Sequence, residues 1–377
     1  MTMAEPKRFT ILHTIETAGP GGAETVFLEL ASKLDPERFR SIAMLPGGHW
    51  LPKQLGERKI EFSLATSDGW YDPSLAWSMA RIVRQQGVDL IHSHLADQNF
   101  YSCLVGRLTR RKTIVTYHGS PHLQGRRSLR QGLKSWIVSH SATFIVVVSD
   151  YLKRLFEDLG FPPARVVRIY NGVDLARFTE GPPGPVRAEL GLAASAKLVG
   201  MVANFRRSKG YGYFVRAARL IADCVPEARF LAVGEADPAI EQKARDMVRD
   251  LSLHDRFFFL GFRADIPSIL RDLDVFVLSS TDEGLSIATI EAMAASKPVV
   301  VTRSGGPEEV VDDGRTGFLV APADAEAIAA RVVELLQNPG LAGRLGRQAR
   351  AEAQSRFSLG HMLSEYQSLY EKCMRRD

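Results

Sequence analysis

V-F-V-L-S-S-T-D-E-G-L-S-I-A-T-I-E-A-M, residues 275–293, passes from a short apolar run into a helical pattern, and the change of period marks a strand feeding a helix. Val275 to Leu278 reads as a strand of a parallel sheet, buried on both faces. Gly284 is expected to open a helix with Leu285, Ile287, Ile290 and Met293 turned to a core. Glu283 then stands at the carboxyl end of the strand, where open α/β sheets bind ligands, and Glu291 follows about two turns on. Eight residues at helical rise span roughly 12 Å. That exceeds the roughly 5 to 9.5 Å between the two carboxylates of a glycoside hydrolase, so the pair is expected to hold two parts of one extended ligand.

The rest of the chain is expected to be an ordinary α/β protein. With 377 residues, 45% of them hydrophobic, it is long enough for two cores. Cys103, Cys224 and Cys373 are scattered and match neither a metal-ligand spacing nor a disulfide framework, as expected in a reducing cytoplasm. The first ten residues carry no apolar signal core, and no window approaches eighteen uninterrupted apolar residues. Residues 1–180 hold 23 Lys and Arg against 17 Asp and Glu, so the net charge of +5 belongs to the first half. No nucleic-acid partner is expected.

Strands alternate with amphipathic helical stretches, the order of a parallel sheet, and the alternation occurs twice. The first set is Phe9 to Ile15, Ser41 to Leu45, Leu90 to His92, Thr113 to Tyr117, Phe144 to Val148 and Val166 to Ile169. After T-E-G-P-P-G-P-V-R-A-E-L-G-L, residues 179–192, which reads as an interdomain linker, the second set begins. It comprises Leu198 to Ala203, Arg229 to Val233, Phe257 to Leu260, Val275 to Leu278 and Pro298 to Thr302. Two Rossmann-like domains, residues 1–172 and 173–358, are therefore expected to face each other across a cleft. A final helix from Leu359 is expected to pack back on one of them, and Asn171 and Gly172 are candidate hinge residues.

The turns after the strands suggest the ligand. Gly19, Gly21 and Gly22 lead into a helix near Ala23, an arrangement that offers backbone N–H groups and a helix dipole to an anion; a tight turn without a ligand is the alternative. A dinucleotide site fits less well, because the third glycine and the acidic residue of that fingerprint are missing. Arg206 and Lys209 stand where the first strand of the second domain meets its helix, placed to neutralise a diphosphate or to form a surface charge pair. Gly305, Gly306 and Glu308 open another helix after a strand. His92 and His94 end one strand of the first domain and His118 ends the next, which puts His118 at the presumed ligand edge.

Taken together, G-G-A-E at 21–24, Y-H-G at 117–119, Y-N-G-V-D at 170–174 with Phe178, K-G at 209–210, L-G-F at 260–262, E-G-L-S with Glu291, and G-G-P-E-E-V-V at 305–311 resemble the retaining, GT-B-fold glycosyltransferases of family 4 along nearly the whole chain. The resemblance implies a nucleotide-sugar donor, a UDP- or GDP-sugar, bound mainly by the second domain, an acceptor on the first, retention of configuration, and neither metal nor cofactor. It makes Glu283 the carboxylate on the donor sugar's hydroxyls, Glu291 the one on the ribose, and Lys209 and Arg206 the cations on the diphosphate, joined by the N–H of Gly22 beside Gly21. Gly284, Leu285 and Ser286 complete the donor turn, while Gly261 and Phe262 meet the base. His118 lies near the donor sugar and the acceptor, with His94, Asp97 and Tyr117 as acceptor contacts. One departure stands out. The family places its arginine five residues before the lysine, where this chain has Asn204, itself expected as a donor contact, and Arg206 is the expected substitute for the cation.

The acceptor is expected to be a glycan or a lipid-linked sugar of cell-envelope polysaccharide or glycoconjugate synthesis. In L-Q-G-R-R-S-L-R-Q-G-L-K-S-W-I, Leu129, Leu133 and Trp136 recur at helical spacing beside Arg126, Arg127, Arg130 and Lys134, and Arg107, Arg110, Arg111 and Lys112 precede them. Such a helix either docks on anionic lipid, as a peripheral contact at the inner face of the plasma membrane, or turns its apolar side to the core. A sugar phosphorylase or nucleotide-sugar epimerase of similar fold, and a noncatalytic nucleotide-sugar-binding module, are the alternative functions.

Overall fold

The computed structural model of the chain describes residues 8–66, 72–120, 129–179, 181 and 184–375. The chain forms two compact units, residues 1–171 with 362–377 and residues 172–361.

The first unit is built on a seven-stranded sheet with every pairing parallel: β1 Phe9–Ile15, β2 Phe39–Leu45, β3 Glu61–Leu64, β4 Leu90–His94, β5 Lys112–Tyr117, β6 Phe144–Val147 and β7 Val166–Arg168, in the order β3-β2-β1-β4-β5-β6-β7. The second carries six parallel strands, β8 Lys197–Val202, β9 Ala228–Val233, β10 Phe257–Gly261, β11 Val275–Leu278, β12 Val299–Thr302 and β13 Phe318–Val320, in the order β10-β9-β8-β11-β12-β13. Central strands are buried almost completely, because helices cover both faces of a parallel sheet and leave no polar side. In each sheet the strand order reverses once, between β1 and β4 and between β8 and β11. The crevice at the carboxyl end of such a reversal is the ligand position of open α/β sheets.

Every expected strand is present. Two more, β3 and β13, lie at sheet edges, where three or four residues suffice and a partner stands on one side alone. The segment expected as an interdomain linker belongs instead to the second unit. Val186 is buried there and donates its N–H to Asp272 Oδ2 at 2.9 Å, while Arg187 pairs with Asp274 at 2.9 Å. The units divide earlier, between Asn171 and Gly172.

The last helix, Leu359–Arg375, packs its later turns on the first unit. Tyr366, Tyr370 and Cys373 are buried there, Arg38 pairs with Glu371, and the N–H of Asp35 bonds Gln367. Arg126 and Arg127 lie outside the described residues.

Candidate active site

In the second unit the turns after β8 and β11 are bonded to each other. The Ser279 hydroxyl donates to the carbonyls of Lys209 (3.1 Å) and Gly210 (3.0 Å), and the Thr281 N–H donates to Ser208 O at 2.7 Å. Gly210 has φ +66°, and a β-carbon there would stand 2.1 Å from Ser279 O, so no other residue lets the two turns approach this closely. That approach brings Lys209 Nζ into an ion pair with Glu283 Oε2, which also accepts from the Ser280 hydroxyl at 3.2 Å. Lys209 and Glu283 thus stand together at the reversal of the second sheet, from turns 74 residues apart in the chain.

Glu283 is held as firmly at its backbone. Its N–H donates to Ser304 O at 2.9 Å and its carbonyl accepts from the Gly306 N–H at 2.8 Å, so the turn after β12 braces the turn after β11. The expected helix start at Gly284 is displaced. Residues 284–286 are non-helical, and the helix runs Ile287–Ala294 with the Ser286 hydroxyl capping the Thr289 N–H at 3.2 Å. Ser286 carries the capping preference that locates such a start, and the displacement leaves Gly284 and Leu285 buried in the turn.

Glu291, one turn into that helix, is half-buried, and its carboxylate makes no hydrogen bond among the described residues. Burial pushes its pKa up to about 7, partly offset by the positive charge of Arg177. Arg177 went unnoticed in the sequence; it lies on the short helix Ala176–Thr179 that packs against the helix of Glu291, and only tertiary packing relates the two. Arg206 is exposed and enters no ion pair among the described residues. Asn204 is committed to the fold, its Oδ1 accepting the Glu235 N–H at 3.0 Å across the end of β9. At the end of β10, Gly261 adopts φ +63° and Phe262 is exposed beside it.

In the first unit, Gly21 caps the helix Gly22–Lys33, and a β-carbon on it would stand 2.3 Å from Oε2 of Glu24, whose Oε1 accepts from the Thr17 hydroxyl at 2.5 Å. Gly22 is exposed as the first helical residue, so its N–H lies outside the helix's own bonding. Glu16 bonds the N–H groups of Asp97 (2.7 Å) and Gln98 (3.2 Å) and so caps the helix Ala96–Thr109, while Lys134 holds the Asp97 carboxylate at 2.7 Å.

The histidines are less open than the sequence suggests. His94 ends β4 as expected and His92 lies two residues inside it, yet both are completely buried. His92 bonds Thr116 Oγ1 at 2.8 Å and Tyr370 OH at 2.7 Å. His94 lies beneath His118, ring on ring at 5.2 Å, with Nδ1 and Nε2 sharing a hydrogen bond at 2.9 Å. Burial lowers the pKa of His118 to about 3 and that of His94 well below its usual value, so both rings are neutral at pH 7. Tyr117 is also buried, its ring against Phe156 at 4.6 Å, which turns it away from the edge that His118 occupies.

Ring nitrogens of His13, His92 and His94 also come within 4.8 Å of one another, but no carboxylate joins them among the described residues and His92 has both nitrogens engaged. They lie in the interior of the first unit, not at the turns after β8 and β11.

Two family descriptions match the chain: Glycosyltransferase Family 4 over residues 20–177 and Glycosyl transferases group 1 over residues 196–338. The alpha-maltose-1-phosphate synthase of Mycolicibacterium smegmatis is 30% identical over 318 residues, 76% of this chain and 80% of that protein. The chain belongs to glycosyltransferase family 4. Another relative in this family of sequences, the N-acetyl-alpha-D-glucosaminyl L-malate synthase of Bacillus anthracis, is 27% identical over 372 residues, 95% of each chain. Among solved structures, Anabaena Alr3699/HepE in complex with UDP-glucose superposes with a TM-score of 0.89 at 22% identity, covering 97% of this chain and all of that one. The two Rossmann-like units of this family 4 member are the GT-B fold.

Proposed function

We propose that the protein is a retaining, metal-independent hexosyl- or N-acetylhexosaminyl-transferase that moves a sugar from a UDP- or GDP-sugar to a glycan or lipid-linked acceptor. The observation that carries this reading is the pairing of Lys209 with Glu283 at the sheet reversal of the second unit, with the unbonded carboxylate of Glu291 one helix turn beyond. A nucleotide sugar asks for these groups: a fixed cation for the diphosphate, and carboxylates that accept from hydroxyls of the sugar and the ribose. Lys209, with Arg206 beside it, offsets charge growing on the leaving phosphate, while Gly284, Leu285 and Ser286 offer backbone atoms and Phe262 a face for the base. The complex of Alr3699/HepE with UDP-glucose is consistent with such a donor.

The first unit takes the acceptor in this reading. His118 stands at the carboxyl end of β5 as a neutral hydrogen-bonding group, seated on His94, and the turn of Gly21 and Gly22 offers N–H groups to an anion. Asp97, in the first turn of the capped helix, is held by Lys134 through Oδ1 and stays exposed, so its other oxygen can accept from a hydroxyl. Front-face displacement, with the donor phosphate taking the proton of the acceptor hydroxyl, supplies retention without a protein nucleophile. No helix among the described residues is long and apolar enough to cross a membrane, and we place the protein in the cytoplasm with peripheral contact to the inner face of the plasma membrane.

A thermal-shift panel of nucleotide sugars tests the donor. The right one at 100 times its dissociation constant adds about 2.7 kcal/mol of stability, and the shift is lost in Glu291→Ala. A panel in which free phosphate and sugar phosphates stabilise the protein, and no nucleotide sugar does, would favour a phosphorylase.

A further inference from the structure

The helix Leu129–Ser141 is amphipathic the wrong way round. Leu129 (95% exposed), Leu133 (53%) and Trp136 (59%), spaced by four and three residues, form one apolar stripe turned to solvent, and Val138 and Ser139 are its only buried residues. A globular protein turns such a stripe inward unless something covers it.

The surroundings indicate what does. This helix packs beside Ala96–Thr109, which in turn packs beside Pro73–Gln85. The first neighbour exposes Leu108 at its end, and the second exposes Trp77 (63%) in line with Arg81 and Arg84. The described residues between 73 and 141 include eight Lys and Arg and two acidic residues, Asp89 and Asp97. Both acids are engaged, Asp89 with the Thr10 N–H at 3.0 Å and Asp97 with Lys134. Arg81, Arg84, Arg107, Arg110 and Arg111 are exposed and enter no ion pair among the described residues.

We propose that these three helices form a docking face for an anionic membrane, with Leu129, Leu133, Trp136 and Trp77 entering the interface and the arginines meeting lipid phosphates. Leucine and tryptophan at headgroup depth, rimmed by arginine, match a surface that is apolar inside and negative outside. A second copy of the chain would cover the leucines but set one basic face against another. Nucleic acid would meet the arginines and leave Leu129 and Leu133 in water. The role of the face depends on the proposed lipid-linked acceptor; its binding to lipid does not.

Cosedimentation of the full chain with phosphatidylcholine vesicles, with and without phosphatidylglycerol, tests it. Binding is expected to the anionic vesicles alone, declining as salt rises from about 0.1 M to about 1 M and the screening length falls from roughly 10 Å to 3 Å. At about 1 kcal/mol for each basic residue, Arg81→Gln, Arg84→Gln and Arg130→Gln together lower partitioning about 100-fold. Leu129→Ser, Leu133→Ser and Trp136→Ser together abolish it, while the thermal shift by nucleotide sugar stays unchanged in both variants. Equal binding to both lipids, no binding at low salt, or a solution dimer that the serine variant dissolves would each overturn the proposal, and none would touch the transferase reading.

Discussion

Lys209 and Glu283 neutralise each other, so in the proposed function a bound donor would exchange one partner of each for another. Their roles separate from that of Glu291 in kinetics. Lys209→Ala is expected to lower kcat by about 100-fold or more, as loss of one transition-state contact does, whereas Glu291→Ala chiefly raises the donor KM. Unchanged turnover in Lys209→Ala would remove its leaving-group role. Glu291 adds a pH signature. Its folded pKa of about 7 lies above the ordinary 4.5, so the folded state holds its proton more tightly and loses stability as pH climbs between those values. Glu291→Gln is therefore expected to match the natural protein near pH 4.5 in urea melts and to exceed it at pH 8, by at most about 3 kcal/mol. Donor affinity of the natural protein should rise over the same interval as the carboxylate forms, which calorimetric titration reads.

Among the elements, legibility followed burial. Strands that repeat Val, Ile and Leu could be read from composition, and β11 begins and ends where its apolar run does. The edge strand β3, Glu61–Leu64, has no such run, because one of its sides faces water and two of its four residues are exposed. Apolar spacing starts the helix after Glu283 three residues too early, since it extends through Leu285, whose burial comes from the turn and not from a helix face. Histidines mislead for a similar reason: spacing places His92 at a strand end, whereas it lies inside β4 and meets Tyr370 of the last helix. That contact can be weighed directly. Tyr370→Phe leaves His92 Nδ1 buried without its partner and is expected to cost about 1 to 3 kcal/mol in denaturant unfolding. Tyr366→Phe, whose bond to Thr116 is 3.3 Å, should cost less, and equal losses would argue against the His92 contact as the cause.

For the whole molecule, the two sheets repeat one plan, and each brings candidate residues to the carboxyl ends of its strands. In the proposed function the cations on the diphosphate are side chains, Lys209 and Arg206, so transfer is expected to persist in excess EDTA; activity lost to the chelator and restored by magnesium or manganese would reassign the site. The first unit also has a discontinuous chain, residues 1–171 completed by 362–377. A ribosome makes its strands first and its covering helix last, so nascent β4 waits through the synthesis of the entire second unit for Tyr366 and Tyr370. The unit begun first is completed only after the second has been made, and a chain cut just before Met362 keeps an intact second unit joined to an open first one.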